Sequence, residues 1–159
     1  MLTVIFNTIL WIIVSNFAAS KFEGMECLEL NPAHDFTKWE DKYVKELHLL
    51  EFGESLGNAV LFEDNTIRLW NLKLDVGERI PFVKNNKNYS WISETDALLK
   101  SRSGNGRVSL IRVNKGDTKY FENSGKDYIN DLENLGETVV LFKVLEYKQG
   151  FHDLLPILN

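Results

Sequence analysis

A chain of 159 residues has room for one domain with a real hydrophobic core and too little for two. Its formal net charge is −5, with 18 Lys and Arg against 23 Asp and Glu and no basic run. An acidic surface is repelled by phosphates, so no nucleic-acid partner is expected.

Residues 2–19 read LTVIFNTILWIIVSNFAA, apolar with scattered Asn, Thr and Ser, and no charged side chain precedes Lys21. Ala18-Ala19-Ser20 offers small residues at the spacing a signal peptidase accepts. Residues 1–20 are therefore expected to act as an export signal, giving a secreted or periplasmic protein. An uncleaved membrane anchor is the alternative, because the stretch barely suffices to span a bilayer and lacks a preceding Lys or Arg. A folded helix or strand is the third reading. Membrane contact is expected only through this segment.

Residues 21–57 form an N-terminal extension. Cys27 is the only cysteine, so an intrachain disulfide is excluded, and no zinc-type spacing surrounds it. A small unpaired side chain is the plain expectation, with a reactive thiol or an intermolecular disulfide as alternatives. Trp39, Tyr43, Leu47 and Leu50 recur at three- or four-residue steps, which predicts an amphipathic helix over about 35–52, ended by Gly53 and Gly57. Its apolar stripe is expected to pack on the domain or on a second copy.

From Asn58 to Lys148 the pattern changes to short runs rich in Val, Ile, Leu and aromatic residues, separated by Gly, Asn and Asp. Strands are predicted at 59–62, 66–74, 89–93, 97–101, 107–113, 118–121, 128–132 and 138–147. Asn105-Gly106 between two of them reads as a hairpin turn in which both residues tolerate positive φ. About eight strands at this spacing define an all-β sandwich or barrel. The tail, 149–159, is apolar enough to fold back on the domain or across a dimer seam, and a homodimer is the expected assembly.

Two segments then suggest which barrel. The first runs Gly77-Glu-Arg-Ile-Pro81-Phe-Val83-Lys-Asn85. The second runs from Gly116-Asp117 through Tyr120-Phe121-Glu122 to Asn130-Asp-Leu-Glu-Asn134-Leu-Gly136-Glu137-Thr138. The pair resembles the two signature motifs of the cupins, over about Ala59 to Tyr147. The resemblance implies an all-β, cupin-type double-stranded β-helix, a jelly-roll barrel, with a short N-terminal helical region.

Metal-holding cupins converge three His and one Glu inside the barrel mouth, as intermediate-field donors suited to Fe, Mn, Ni, Cu or Zn. Carried over by spacing, the first His position is Val83 and the second Asn85. The Glu position falls at Tyr89, or at Ser90 with the longer spacing. The third His position is Asn130, or Asp127 when counted from Gly116. None of the positions assigned as equivalent, Val83, Asn85, Tyr89 and Asn130, carries His or Glu, so neither a metal nor another cofactor is expected. His34, His48 and His152 lie elsewhere and read as surface or capping residues.

Pocket-lining candidates are Arg68, Trp70, Asn85, Tyr89, Trp91, Tyr120, Phe121, Tyr128 and Asn130. Aromatic walls with amides suit a small polar ligand such as a sugar, and an inward Arg68 would hold a carboxylate. The same aromatics could simply fill a core. The resemblance thus points to a non-catalytic cupin acting as a small-ligand binding or interaction module. The alternative is a cupin-type enzyme of small-molecule catabolism, dioxygenase- or isomerase-like, with a metal-free or atypical site in which Tyr89 or Tyr128 is the acid and Asp127 the base. Catalytic residues are otherwise unassigned.

Overall fold

The structure, a computed structural model, describes residues 25–123 and 125–148. The expectations for 1–20, for His152 and for the tail lie outside these residues.

The described residues form ten strands and one helix. They are β1 (Glu26–Asn31), α1 (Asp41–Leu49), β2 (Ala59–Glu63), β3 (Ile67–Leu74), β4 (Arg79–Asn85), β5 (Asn88–Ser93), β6 (Ala97–Arg102), β7 (Val108–Val113), β8 (Thr118–Phe121), β9 (Tyr128–Asn134) and β10 (Val140–Tyr147). They pair antiparallel in two five-stranded sheets ordered β1-β7-β6-β9-β4 and β2-β3-β10-β5-β8. From β3 to β6 each successive strand changes sheet, and β7 to β10 do so again. The chain therefore winds around the space between the sheets as a double-stranded β-helix.

Two of these strands, β1 and β4, lie outside the eight predicted segments. β4 contains Pro81, which argues against a strand interior because it cannot donate to a ladder. Here β4 is an edge strand, and its register shifts between Ile80 and Val83. Pro81 is exposed within that irregularity, where its missing N–H breaks no pairing. β1 lies on the opposite edge of the same sheet, paired with β7.

The helix is shorter than predicted at both ends. Asp35 accepts hydrogen bonds from the backbone N–H and hydroxyl of Thr37 at 3.0 and 2.6 Å, a local turn that competes with helix. The indole of Trp39 donates to the Gly106 carbonyl at 3.0 Å and fastens this approach to the barrel. Leu50, with φ of 56°, takes the left-handed position expected of a glycine. The stripe is correspondingly split: Tyr43 and Leu47 are buried against Phe82, whereas Leu50 is exposed. Of the Asn105-Gly106 pair, only Gly106 has positive φ.

A buried ion network joins α1 to the outer face of the first sheet. Asp131, fully buried, accepts from Arg79 Nε at 2.6 Å, Arg102 Nη1 at 2.7 Å and the Arg102 backbone at 2.6 Å. Arg102 also reaches Glu133, and Arg79 reaches Glu46 on α1. The Tyr43 ring closes over Arg102 at 3.8 Å. Every carboxylate in this group has a cationic donor, which is the condition under which buried charge is tolerated.

The main core lies between the sheets, built from Trp70, Leu72, Leu74, Leu99, Val113, Val140, Phe142 and Val144. It fills one end of the barrel and leaves the other open.

Candidate functional site: the open end of the barrel

Side chains alternate across a strand, so the residues facing the interior are read directly from the register. They are Leu99 and Ser101 on β6, Ser109 and Ile111 on β7, Tyr89 and Trp91 on β5, Lys119 and Phe121 on β8, and Tyr128, Asn130 and Leu132 on β9. Together they enclose a cavity of about 320 Å³. Its inner part is apolar, with Leu72, Leu99, Leu132, Phe142 and Val144. Towards the other end of the same strands come Ser101, Ser103, Ser109, Asn85, Tyr128 and Asn130.

The aromatic wall is ordered by ring contacts. Tyr89 and Phe121 stack at 4.7 Å with planes 8° apart, and Trp91 meets Phe142 edge-on at 5.1 Å. Burial pushes the Tyr89 phenol far above its ordinary range; the neighbouring Tyr128 adds to this, and a hydrogen bond with Asn85 offsets only part of it. Tyr89 is therefore a neutral hydrogen-bonding group at physiological pH and a poor proton donor for catalysis. Tyr128 shares a hydrogen bond with Ser103 at 2.9 Å, and Asn130 donates to the Asp131 carbonyl at 3.2 Å.

Of the residues singled out in the sequence, Asn85, Tyr89, Trp91, Phe121, Tyr128 and Asn130 line this cavity. Arg68, Trp70 and Tyr120 do not. Arg68 and Trp70 share the inner face of β3, but Arg68 is held by Glu63 at 2.6 Å and lies 3.7 Å from Glu146. Trp70 is buried in the core, its indole donating to Glu146 at 2.7 Å. Tyr120 precedes Phe121 on β8 and so faces outward, against Tyr147. Asp127, the candidate base, is exposed and ion-paired to Lys84 at 2.7 Å, outside the cavity lining. Four serines, Ser55, Ser101, Ser103 and Ser109, and Lys119 were missed; for two of them the signal was the two-residue step that puts Leu99, Ser101 and Ser103 on one face of the chain and Lys100 and Arg102 on the other.

Val83, Asn85, Tyr89 and Asn130 all lie on the cavity wall. In cross-strand register Val83 faces Asn130, and Asn85 faces Tyr128. The spacing-based assignment thus falls on one convergent site, but its donors are a valine, two amides and a neutral phenol. Asn85 Oδ1 already accepts from the Lys87 backbone at 3.0 Å. Such a set does not fit a transition-metal ion, which needs imidazole, thiolate or carboxylate ligands. Among the described residues, no three His, Cys, Asp or Glu stand together as ligands. His34 and His48 are both exposed, His34 in a turn with its N–H on the Asn105 carbonyl and His48 in the last turn of α1.

Two facing sheets whose chain crosses from one to the other around an open interior define a double-stranded β-helix. Solved structures share it. A cupin domain from Bordetella pertussis superposes with a TM-score of 0.51 at 14% identity, covering 63% of this chain and 99% of that one. The Cnp3 cupin domain of Schizosaccharomyces pombe gives 0.47 at 10% identity, covering 83% and 93%. A double-stranded β-helix protein from Klebsiella pneumoniae gives 0.45 at 17%, covering 67% and 84%. The fold is the double-stranded β-helix that the Bordetella pertussis cupin domain adopts. No protein-family model and no curated protein matches the chain.

Proposed function

We propose that this cupin barrel binds a small molecule in its open end, holding it by ring stacking and hydrogen bonds rather than through a metal. The observation that carries the reading is the cavity of about 320 Å³, which has an apolar inner part, a stacked aromatic wall and polar groups towards the opening. Its size lies at the lower end of small-molecule sites, which run from about 300 to 1,000 Å³. A filled core would place large apolar side chains where Ser101, Ser103 and Ser109 stand.

A fragment set of small polar ring compounds and sugars, followed through the backbone and methyl NMR signals of the protein, tests this. Saturable shifts confined to the wall residues are expected. Ser109→Phe, which projects a ring into the cavity from a half-buried position, is expected to abolish them and leave the thermal midpoint nearly unchanged. Shifts that lie elsewhere, or that persist in S109F, would overturn the reading.

A further inference from the structure

The charges around the cavity are unbalanced in a way that points to the ligand. Four cationic side chains near the open end already have acidic partners. Arg107 pairs with Glu29 at 3.0 Å, Lys84 with Asp127 at 2.7 Å, Lys87 with Glu146 at 3.4 Å and Arg68 with Glu63 at 2.6 Å. Lys119 differs. It stands directly across from Trp91 in the ladder, on the face of β8 that lines the cavity, with its ammonium 5.0 Å from the centre of the Phe121 ring. Among the described residues, no carboxylate stands within ion-pair distance of it. The cavity lining contains one acidic residue, Asp131, and its carboxylate is consumed by Arg79 and Arg102.

Among the described residues, the cavity wall thus carries one exposed cation without an acidic partner, and no free carboxylate competes with it. Hydroxyl groups of Ser109 and Tyr128 line the cavity from the facing sheet, and hydroxyls are suitable donors to an anion. Beyond them the surface is hydrocarbon and aromatic.

We infer that the ligand is a small monoanion, a carboxylate on an apolar or aromatic body, with Lys119 receiving the charge and Trp91 and Phe121 flanking the body. A single cation matches a single negative charge, and a charge-assisted hydrogen bond is about twice as strong as a neutral one. This inference rests on the barrel being a ligand site, and its test separates the two.

The full chain is titrated with phenylacetate and with phenylacetamide, a neutral molecule of nearly the same shape, while the methyl signals of Leu72, Leu99, Leu132 and Val144 are followed. Saturable shifts with both compounds are expected, with phenylacetate bound about tenfold more tightly. Lys119→Met, an exposed position on an edge strand, is expected to bring the two affinities together, while Lys73→Met, remote from the cavity, leaves the preference intact. Equal affinity for the acid and the amide would overturn the anion inference and leave the binding reading standing. A preference that survives K119M would remove Lys119 from the account. Absence of saturable shifts with either compound would overturn both.

Discussion

Val83 on β4 and Asn130 on β9 stand directly opposite one another in the sheet. Both line the cavity, and Asn85, two residues beyond Val83, shares their face. Directly opposed residues of an antiparallel pair have Cα atoms about 4.5–5.5 Å apart. Three imidazoles at these positions would therefore converge. The variant V83H/N85H/N130H is expected to gain one tightly held equivalent of Ni²⁺ or Zn²⁺ that survives gel filtration. Failure of the triple variant to hold metal, while still folded by circular dichroism, would show that these positions do not converge.

Asp131 is the hub of the ion network under α1. Removing its charge leaves Arg79 and Arg102 without their shared partner in a buried site. Asp131→Asn is expected to cost about 3–5 kcal/mol, as breaking a buried pair does. Urea denaturation measures it, and a loss below about 1 kcal/mol would show that the network is solvated.

Glu46 ties α1 to that network. Burial acts to raise its carboxyl, but hydrogen bonds from Arg79 and the Phe82 backbone, with the charges of Arg79 and Arg102, outweigh it, and the net shift is downward from 4.5. A carboxyl lowered in the folded state contributes stability that is fully present above the unfolded value and is lost as pH falls through the folded one. Stability is therefore expected to decline as pH drops below about 4.5, and Glu46→Gln to flatten part of that decline. Identical pH profiles for the two proteins would contradict the assignment.

Gly57 and Gly53 separate a required glycine from a tolerated one. A Cβ at Gly57 would lie 2.5 Å from the Asn71 carbonyl oxygen, and backbone cannot step aside cheaply. A Cβ at Gly53 would meet Val83 Cγ1 at 3.8 Å, an ordinary contact. Gly57→Ala is expected to destabilise by about 1–3 kcal/mol, the range for overpacking. Gly53→Ala is expected to stay within about 0.5 kcal/mol of the parent. Thermal or urea unfolding of the pair measures the difference, and equal stabilities would contradict the close approach at Gly57.

The barrel was legible where local chemistry and tertiary role agree. β2, β3 and β5 to β10 carry aromatic or branched runs bounded by turn residues, and they fold at nearly the predicted bounds. β4 was not legible because Pro81 looks like a strand breaker until an edge position accommodates it. β1, with Glu26, Glu29 and Asn31 among its residues, is a half-exposed edge whose strand character comes from pairing with β7.

The pocket was legible in composition and not in facing. Trp70 and Trp91 look alike in sequence, yet the register gives one to the packed core with Glu146 and the other to the cavity. Tyr120 and Phe121 are adjacent, and only pairing of Phe121 with Tyr89 decides which ring turns inward. These choices depend on neighbours distant in the chain, which no local pattern encodes.

Metal analysis of the purified full chain, prepared without a histidine tag or chelator, tests the central claim most directly. Far less than one equivalent of Fe, Mn, Ni, Cu or Zn per chain is expected. One equivalent that disappears in Asn85→Ala/Asn130→Ala would place a metal at the barrel mouth and contradict a site built on stacking and hydrogen bonds.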